Sequence, residues 1–401
     1  MLSPNSFSLL FAILLCLPLA IVFTTTTTTT TITTSTTTIT ITKNTTITTA
    51  KLFHDPNPPI PNLTTTFYIK HPNNTSRQPP PPPPPPPPSE AVAEYNDDEE
   101  EKELFRMASR AKRKPTNTKK LAFMFLTTTP LPFAPLWESF FNKSPRNLYN
   151  IYVHADPTFT YDPPFSGVFR NRTIPSKPTA RYTPTLAAAA RRLLARALIH
   201  DRNNHMFLLL SPSCIPLHSF NFTYSTLAHS RKSFIEILTN ETGSYDRWAA
   251  RGDHVMLPEV TLDDFRIGSQ FWALTRKHAR LVVSETRLWS KFKLPCVRWD
   301  TCYPEENYFP TLLAMWDSRG CVHATLTHVD WSGSEDGHPR MYQKENVGPE
   351  LFWALRKGRP RYGDGGREIR RRRDPFLFAR KFAPDSLQAL MQIADDFIFR
   401  D

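Results

Sequence analysis

Leu121-Ala-Phe-Met-Phe-Leu126 and Leu148-Tyr-Asn-Ile-Tyr-Val-His154 are short apolar runs rich in aromatic and branched residues, with a helix expected around Phe133 to Phe141 between them. That order, strand then helix then strand, is the unit of a parallel sheet. Downstream, Thr183-Pro184 supplies a cap and a first-turn proline for a helix running to about Asp201. Leu186, Ala190, Leu193, Leu194, Ala197 and Leu198 form its apolar face, and Arg191, Arg192 and Arg196 are expected on the solvated one. Another strand, Met206 to Leu210, follows at once. Strands re-entered from helical crossovers predict an α/β fold with a mostly parallel sheet covered on both faces. Ligands on such sheets lie at the carboxyl ends of strands, which places Asp156 and the Ser211 to Pro216 segment near a bound nucleotide or sugar.

The composition agrees with one substantial globular region. Of 401 residues, 39 are Pro and only 12 are Gly, and the formal net charge is +12. Residues 1–115 hold 18 of the prolines but contribute only +1, so residues 116–401 carry +11. About 286 residues can bury a core as one large domain or two small ones. Five cysteines exclude a disulfide-dense mini-domain, and no period of 20 to 50 residues suggests a solenoid or propeller. Neither Cys-x-x-Cys nor clustered His spacing points to zinc.

The N-terminal part reads differently. Phe7 to Phe23 is apolar except for Ser8 and Pro18, long enough for a helix to reach across a hydrocarbon core of about 30 Å. An uncleaved signal-anchor over residues 6–23 is expected, with a cytosolic tail at 1–5. A cleaved signal peptide is the competing reading, disfavoured because no basic n-region precedes the run. Thr24 to Thr49 is nearly all Thr with scattered Ile, and Pro79 to Pro88 is unbroken polyproline. Residues 24–118 are therefore expected to form a disordered stalk, and 119–401 the lumenal domain. Asn-x-Ser/Thr acceptors at Asn142, Asn171, Asn221 and Asn240 within the domain support the lumenal side.

Gly268 to His278 reads as a strand turning into a helix, and Glu305 to Met315 as a helix entered through Pro304. Paired carboxylates on a first turn usually complement the helix dipole. In order along the chain, however, several strings form a recognisable set. They are Leu121 to Leu126, Tyr149-Asn-Ile-Tyr-Val-His-Ala-Asp156, Leu209-Leu-Ser-Pro-Ser-Cys-Ile-Pro-Leu217, Gly268 to His278, Cys302-Tyr-Pro-Glu-Glu-Asn-Tyr308, Val329-Asp-Trp-Ser332 and Leu377-Phe-Ala-Arg-Lys-Phe382. Together they resemble the plant-type branch of the Core-2/I-branching β-1,6-N-acetylglucosaminyltransferase family, glycosyltransferase family 14, over residues 119 to 398.

The resemblance implies a GT-A-like domain in a type II Golgi membrane protein that transfers a sugar from a UDP-sugar to a glycan or glycoprotein acceptor with inversion. It implies Glu306, closing Pro304-Glu305-Glu306, as the general base. Metal independence comes with it, Arg340 and Lys381 stabilising the departing diphosphate, and Asp156 lying near the donor nucleoside. No Asp-x-Asp occurs in the chain, and no metal or other cofactor is expected. Trp272 and Trp331 are candidate stacking faces for an acceptor sugar. The chain departs from the branch at Ala190, Pro212, Ile267 and Glu305-Glu306-Asn307, and in Gly358 to Asp374, which admits a catalytically weak glycan-binding or scaffold relative as the alternative. Nucleic-acid binding would also use the positive charge, but a lumenal chain does not meet it.

Overall fold

The structure is a computed structural model and describes residues 23–34, 37–48, 88–112, 118–142, 144–332, 338–363 and 372–401. The anchor expected over 6–23 lies outside these residues apart from Phe23, and among the described residues no helix is long and apolar enough to cross a membrane. The chain divides into two compact units, residues 1–83 and 84–401. In the first, β1 (Phe23–Thr34) and β2 (Thr37–Thr48) form an antiparallel hairpin whose register runs from Phe23 opposite Thr48 to Thr34 opposite Thr37. The Thr tract was expected to be disordered; β-branched residues favour the extended backbone, and here they pair.

The second unit begins with α1 (Pro88–Ser109), inside the span expected to be stalk. Its Leu104 and Ala108 are buried against the domain. Glu101 receives a 2.6 Å hydrogen bond from Arg192, and Glu100 pairs with Arg196 at 3.3 Å. Part of the span expected as stalk is thus a helix packed on the domain, with Glu100 and Glu101 paired to Arg196 and Arg192.

The alternating part follows as expected. β3 (Lys120–Thr127), α2 (Ala134–Asn142), β4 (Tyr149–Ala155), α3 (Thr185–His200) and β5 (Asn204–Leu210) come in order. β3 pairs in parallel with both β4 and β5. After β6 (Ile215–Pro216) and α4 (Phe220–Ala228) come β7 (Ser233–Phe234), α5 (Ser244–Trp248), β8 (Ala273–Thr275) and α6 (Arg276–Ser284). α7 (Arg287–Phe292), α8 (Pro304–Asp317) and β9 (Cys321–Val322) complete the main sheet and its cover. The strand order is β4-β3-β5-β8-β7-β9. β8 is antiparallel to both neighbours and β9 is parallel to β7, so five strands run one way and β8 alone runs the other. A smaller sheet joins β10 (Thr327–Val329), β11 (Phe378–Arg380) and β6, with β10 and β11 parallel.

Both faces of the main sheet are dry. On one, Phe123 meets Trp137, Phe140 and Phe141 of α2 edge-on, with ring centroids 6.2, 5.8 and 5.0 Å apart. Aromatic pairs of this kind add about 0.5–1.5 kcal/mol each beyond the area they bury. On the other, Ala122, Met124 and Phe207 share a core with Ala190, Leu193, Leu194 and Leu198 of α3. The expected polar face of α3 is also covered: Arg191 and Arg192 are 2% and 5% exposed. Arg191 donates to the carbonyl oxygens of Val282 and Glu285, at 3.2 and 2.9 Å, and lies over the rings of Phe105 and Trp289. A helix wheel cannot see α1 and α7 arriving on that side. Replacing Leu104 with Ala should therefore lower the unfolding free energy of the full chain by about 2–5 kcal/mol, read from the denaturant midpoint; a surface helix would show almost none.

Candidate active site

The first turn of α8 is fixed from three directions. Cys296 and Cys302 form a disulfide that closes the segment just before it, whereas Cys214 and Cys321 are buried free thiols. Pro304 occupies the first turn, where its missing N–H costs nothing. Gly268 donates its N–H to the Glu306 carbonyl oxygen at 2.9 Å, and a Cβ at position 268 would lie 2.1 Å from the Glu236 carbonyl oxygen. Only glycine allows that approach.

Glu306 projects to a part-exposed position and forms a 2.8 Å ion pair with Arg247 of α5. The Arg247 guanidinium also lies 4.4 Å from the centroid of the Tyr303 ring. Glu305 turns inward; its Oε2 is buried without a hydrogen-bond partner. Burial, helped by the neighbouring Glu306 charge, pushes its carboxyl up to about 8, against a backbone hydrogen bond and the weaker pull of Arg181 and Arg247. A third carboxyl, Glu236, just past β7, is pushed up to about 7, mainly by burial and then by Glu241 and Glu306, with Arg361 opposing. Arg380, at the end of β11, lies 4.7 Å from the Phe271 ring centroid. Burial lowers its pKa from the ordinary arginine value, while Cys214 and Glu306 act to raise it. Titratable groups pushed away from their ordinary values by burial and by one another's charge are the pattern on which acid–base chemistry draws.

The other expected site residues divide. Arg340 and Lys381 lie at the carboxyl ends of the parallel strands β10 and β11: the Arg340 N–H donates to the Asp330 carbonyl oxygen, and the Tyr342 N–H to that of Lys381, both at 2.8 Å. Arg340 is half exposed, 3.8 Å from Asp330 and over the Tyr342 ring. Trp331, 58% exposed, follows Asp330 directly. Trp272 is corrected: it is 3% exposed and packs on Phe309 at 5.2 Å, with no ring face open to a sugar. The alternation of β8 sends it into the core shared with α8.

Asp156 does follow β4, but it is fully buried, and its two oxygens accept four hydrogen bonds from the N–H and hydroxyl groups of Thr158 and Thr179. Burial works to raise its pKa, yet these bonds win and hold it at about 2. It ties the loop around Thr179 to the strand end, and a nucleoside would have to displace one of those donors to bond it directly. Asn142, Asn171, Asn221 and Asn240 are all exposed.

Glu236, Arg247 and Arg380 were not singled out from the sequence. Glu236 had a readable signal, a single carboxylate inside Ser233-Phe-Ile-Glu-Ile-Leu238 at a strand's carboxyl end. Arg247 lies in a short helix with no motif around it, and Arg380 directly precedes Lys381, the cation of the Phe378-Ala-Arg-Lys string.

The family model described as "Branch: Core-2/I-Branching enzyme" matches residues 121–356, more than half of the chain. The chain belongs to the Core-2/I-branching family. Glycosyltransferase BC10 of Oryza sativa subsp. japonica is 29% identical over 272 residues, covering 60% of this chain and 67% of that protein. Membership makes this a glycosyltransferase of the Core-2/I-branching type, and within the matched span lie Glu236, Arg247, Glu306 and Arg340. Arg380 and Lys381 lie beyond it.

The raised Glu305 carboxyl has a consequence for stability. Its folded-state value of about 8 exceeds the ordinary 4.5, so its stabilising contribution is complete below about pH 4.5 and is lost as pH rises through 8. Glu305→Gln, neutral throughout, should lose less stability than the unaltered chain between pH 5 and 9, by roughly 2–4 kcal/mol in urea titrations at the two values. Equal losses would place Glu305 in water.

Proposed function

We propose that the chain is an inverting, metal-independent transferase that moves a sugar, N-acetylglucosamine or another UDP-linked sugar, onto a glycan acceptor. The observation that carries this reading is the position of Glu306, at the head of α8, held by Arg247 and within electrostatic reach of Arg380. In the proposed step Glu306 takes the proton of the acceptor hydroxyl as its oxygen bonds to the anomeric carbon. The bond from that carbon to the diphosphate oxygen breaks on the opposite face, and its electron pair leaves with UDP. Arg380, Lys381 and Arg340, close in chain or sheet, supply fixed positive charge for the leaving group, and no metal is invoked. Glu236, near neutrality when buried, offers a hydrogen bond to an acceptor hydroxyl. Asp156 acts on the donor through the Thr179 loop, and Trp331 offers its exposed face to a sugar.

The setting we propose is the Golgi lumen, behind a type II anchor at 6–23. The exposed acceptor asparagines and the Cys296–Cys302 disulfide are at home in an oxidising compartment. A second reading, a glycan-binding relative with little turnover, is favoured by the same ion pair, because Arg247 occupies one oxygen of the proposed base.

A panel of UDP-sugars tested on the full chain decides between them. Transfer or donor hydrolysis should persist in EDTA and fall by about 10²–10⁴ in Glu306→Gln, and the double change Arg340→Gln with Lys381→Gln should abolish it. Loss on chelation alone refutes the fixed-cation mechanism; acceptor binding that survives Glu306→Gln with no turnover in either protein establishes the second reading.

A further inference from the structure

A cavity of about 1000 Å³ lies beside the site, between α1, the start of α3, and α6 and α7. Phe105, Tyr182, Trp289 and Trp299 line it, with Thr183 and Ser290 among the hydroxyls at its walls. Its size is at the upper end of small-molecule sites, more room than one sugar unit requires. Arg191, buried, is among its lining residues, with Nε unpartnered beside the two carbonyl bonds its guanidinium makes.

The cavity does not end blindly. Trp299 lines the cavity and is 66% exposed. It sits within the segment closed by the Cys296–Cys302 disulfide, which restrains the backbone that carries the ring. Its ring meets Tyr182 at 5.6 Å, Tyr182 meets Tyr303 at 5.5 Å, and the Tyr303 ring carries the Arg247 that pairs with Glu306. An unbroken aromatic path thus runs from the cavity wall to the proposed base.

Resting on the transferase reading, we propose that this cavity and path hold the non-reacting part of the acceptor, an oligosaccharide of several pyranose units. Pyranose rings are apolar on their faces and hydroxylated at their rims. Aromatic faces with hydroxyls at the edges, repeated along a track, fit that pattern and bind several units where a single sugar gains little. The distal units anchor the chain, and Tyr303 and Arg247 present the terminal hydroxyl to Glu306.

Isothermal calorimetry on the full chain tests this with di- and hexasaccharides of β-1,4-glucan, β-1,4-xylan and β-1,3-galactan, alongside a decaproline peptide. At least one hexasaccharide should bind tenfold or more tighter than its disaccharide. Trp299→Ala, and separately Ser290→Trp, which fills the cavity from an exposed edge, should reduce it to the disaccharide level with UDP-sugar hydrolysis unchanged. Hexasaccharides no tighter than disaccharides throughout, or a length effect that survives both substitutions, overturns the proposal. So does binding of decaproline, blocked by Ser290→Trp, when no saccharide binds, since aromatic grooves also take polyproline. Length-dependent binding without any donor hydrolysis supports the cleft and overturns only the transferase reading.

Discussion

Arg247 bridges the Tyr303 ring and the Glu306 carboxylate, and the local architecture is organised around keeping those three groups together. A part-exposed ion pair contributes little to stability by itself. Its importance is positional: the disulfide before Tyr303, the proline at the start of α8 and the glycine against Glu236 each remove freedom from the same few residues. A proton acceptor is effective only within hydrogen-bond reach of its substrate, so rigidity here is a chemical requirement.

The carboxyl groups around that point show how environment separates like residues. Glu305 and Glu306 are neighbours in sequence, but one is turned into the interior and the other toward an arginine. Glu236 comes from the segment after β7, where burial raises its carboxyl to about 7. Cations from two distant elements act on Glu306, Arg247 of α5 through an ion pair and Arg380 at the end of β11 through its charge.

Much of the scaffold was legible because apolar runs of strand length and a 3.6-residue stripe are local signals. β3, α2, β4, α3 and β5 lie close to where those patterns put them, and α8 does start at Pro304. What sequence could not show was decided by distant partners. Arg191 and Arg192 look like surface residues until α1 covers them, and Trp272 looks like a sugar platform until strand alternation turns it inward. Glu306 was legible only through its motif. Arg247 was not, since nothing around Tyr245-Asp-Arg-Trp248 marks the arginine whose partner is 59 residues away.

The reversed direction of β8 has its own consequence. The strands antiparallel to it present the residues that follow their ends, as β7 does with Glu236, whereas β8 arrives with its leading ones, so Gly268, Ser269 and Phe271 contact Glu306, Glu236 and Arg380 before the strand begins. Insertion of a single residue in this lead-in would exchange the two covered faces of the sheet along the whole segment. Phe271 would leave its arginine and Trp272 would be driven toward the opposite core, making these few positions a point from which evolution can remodel the pocket while the rest of the sheet stays in register.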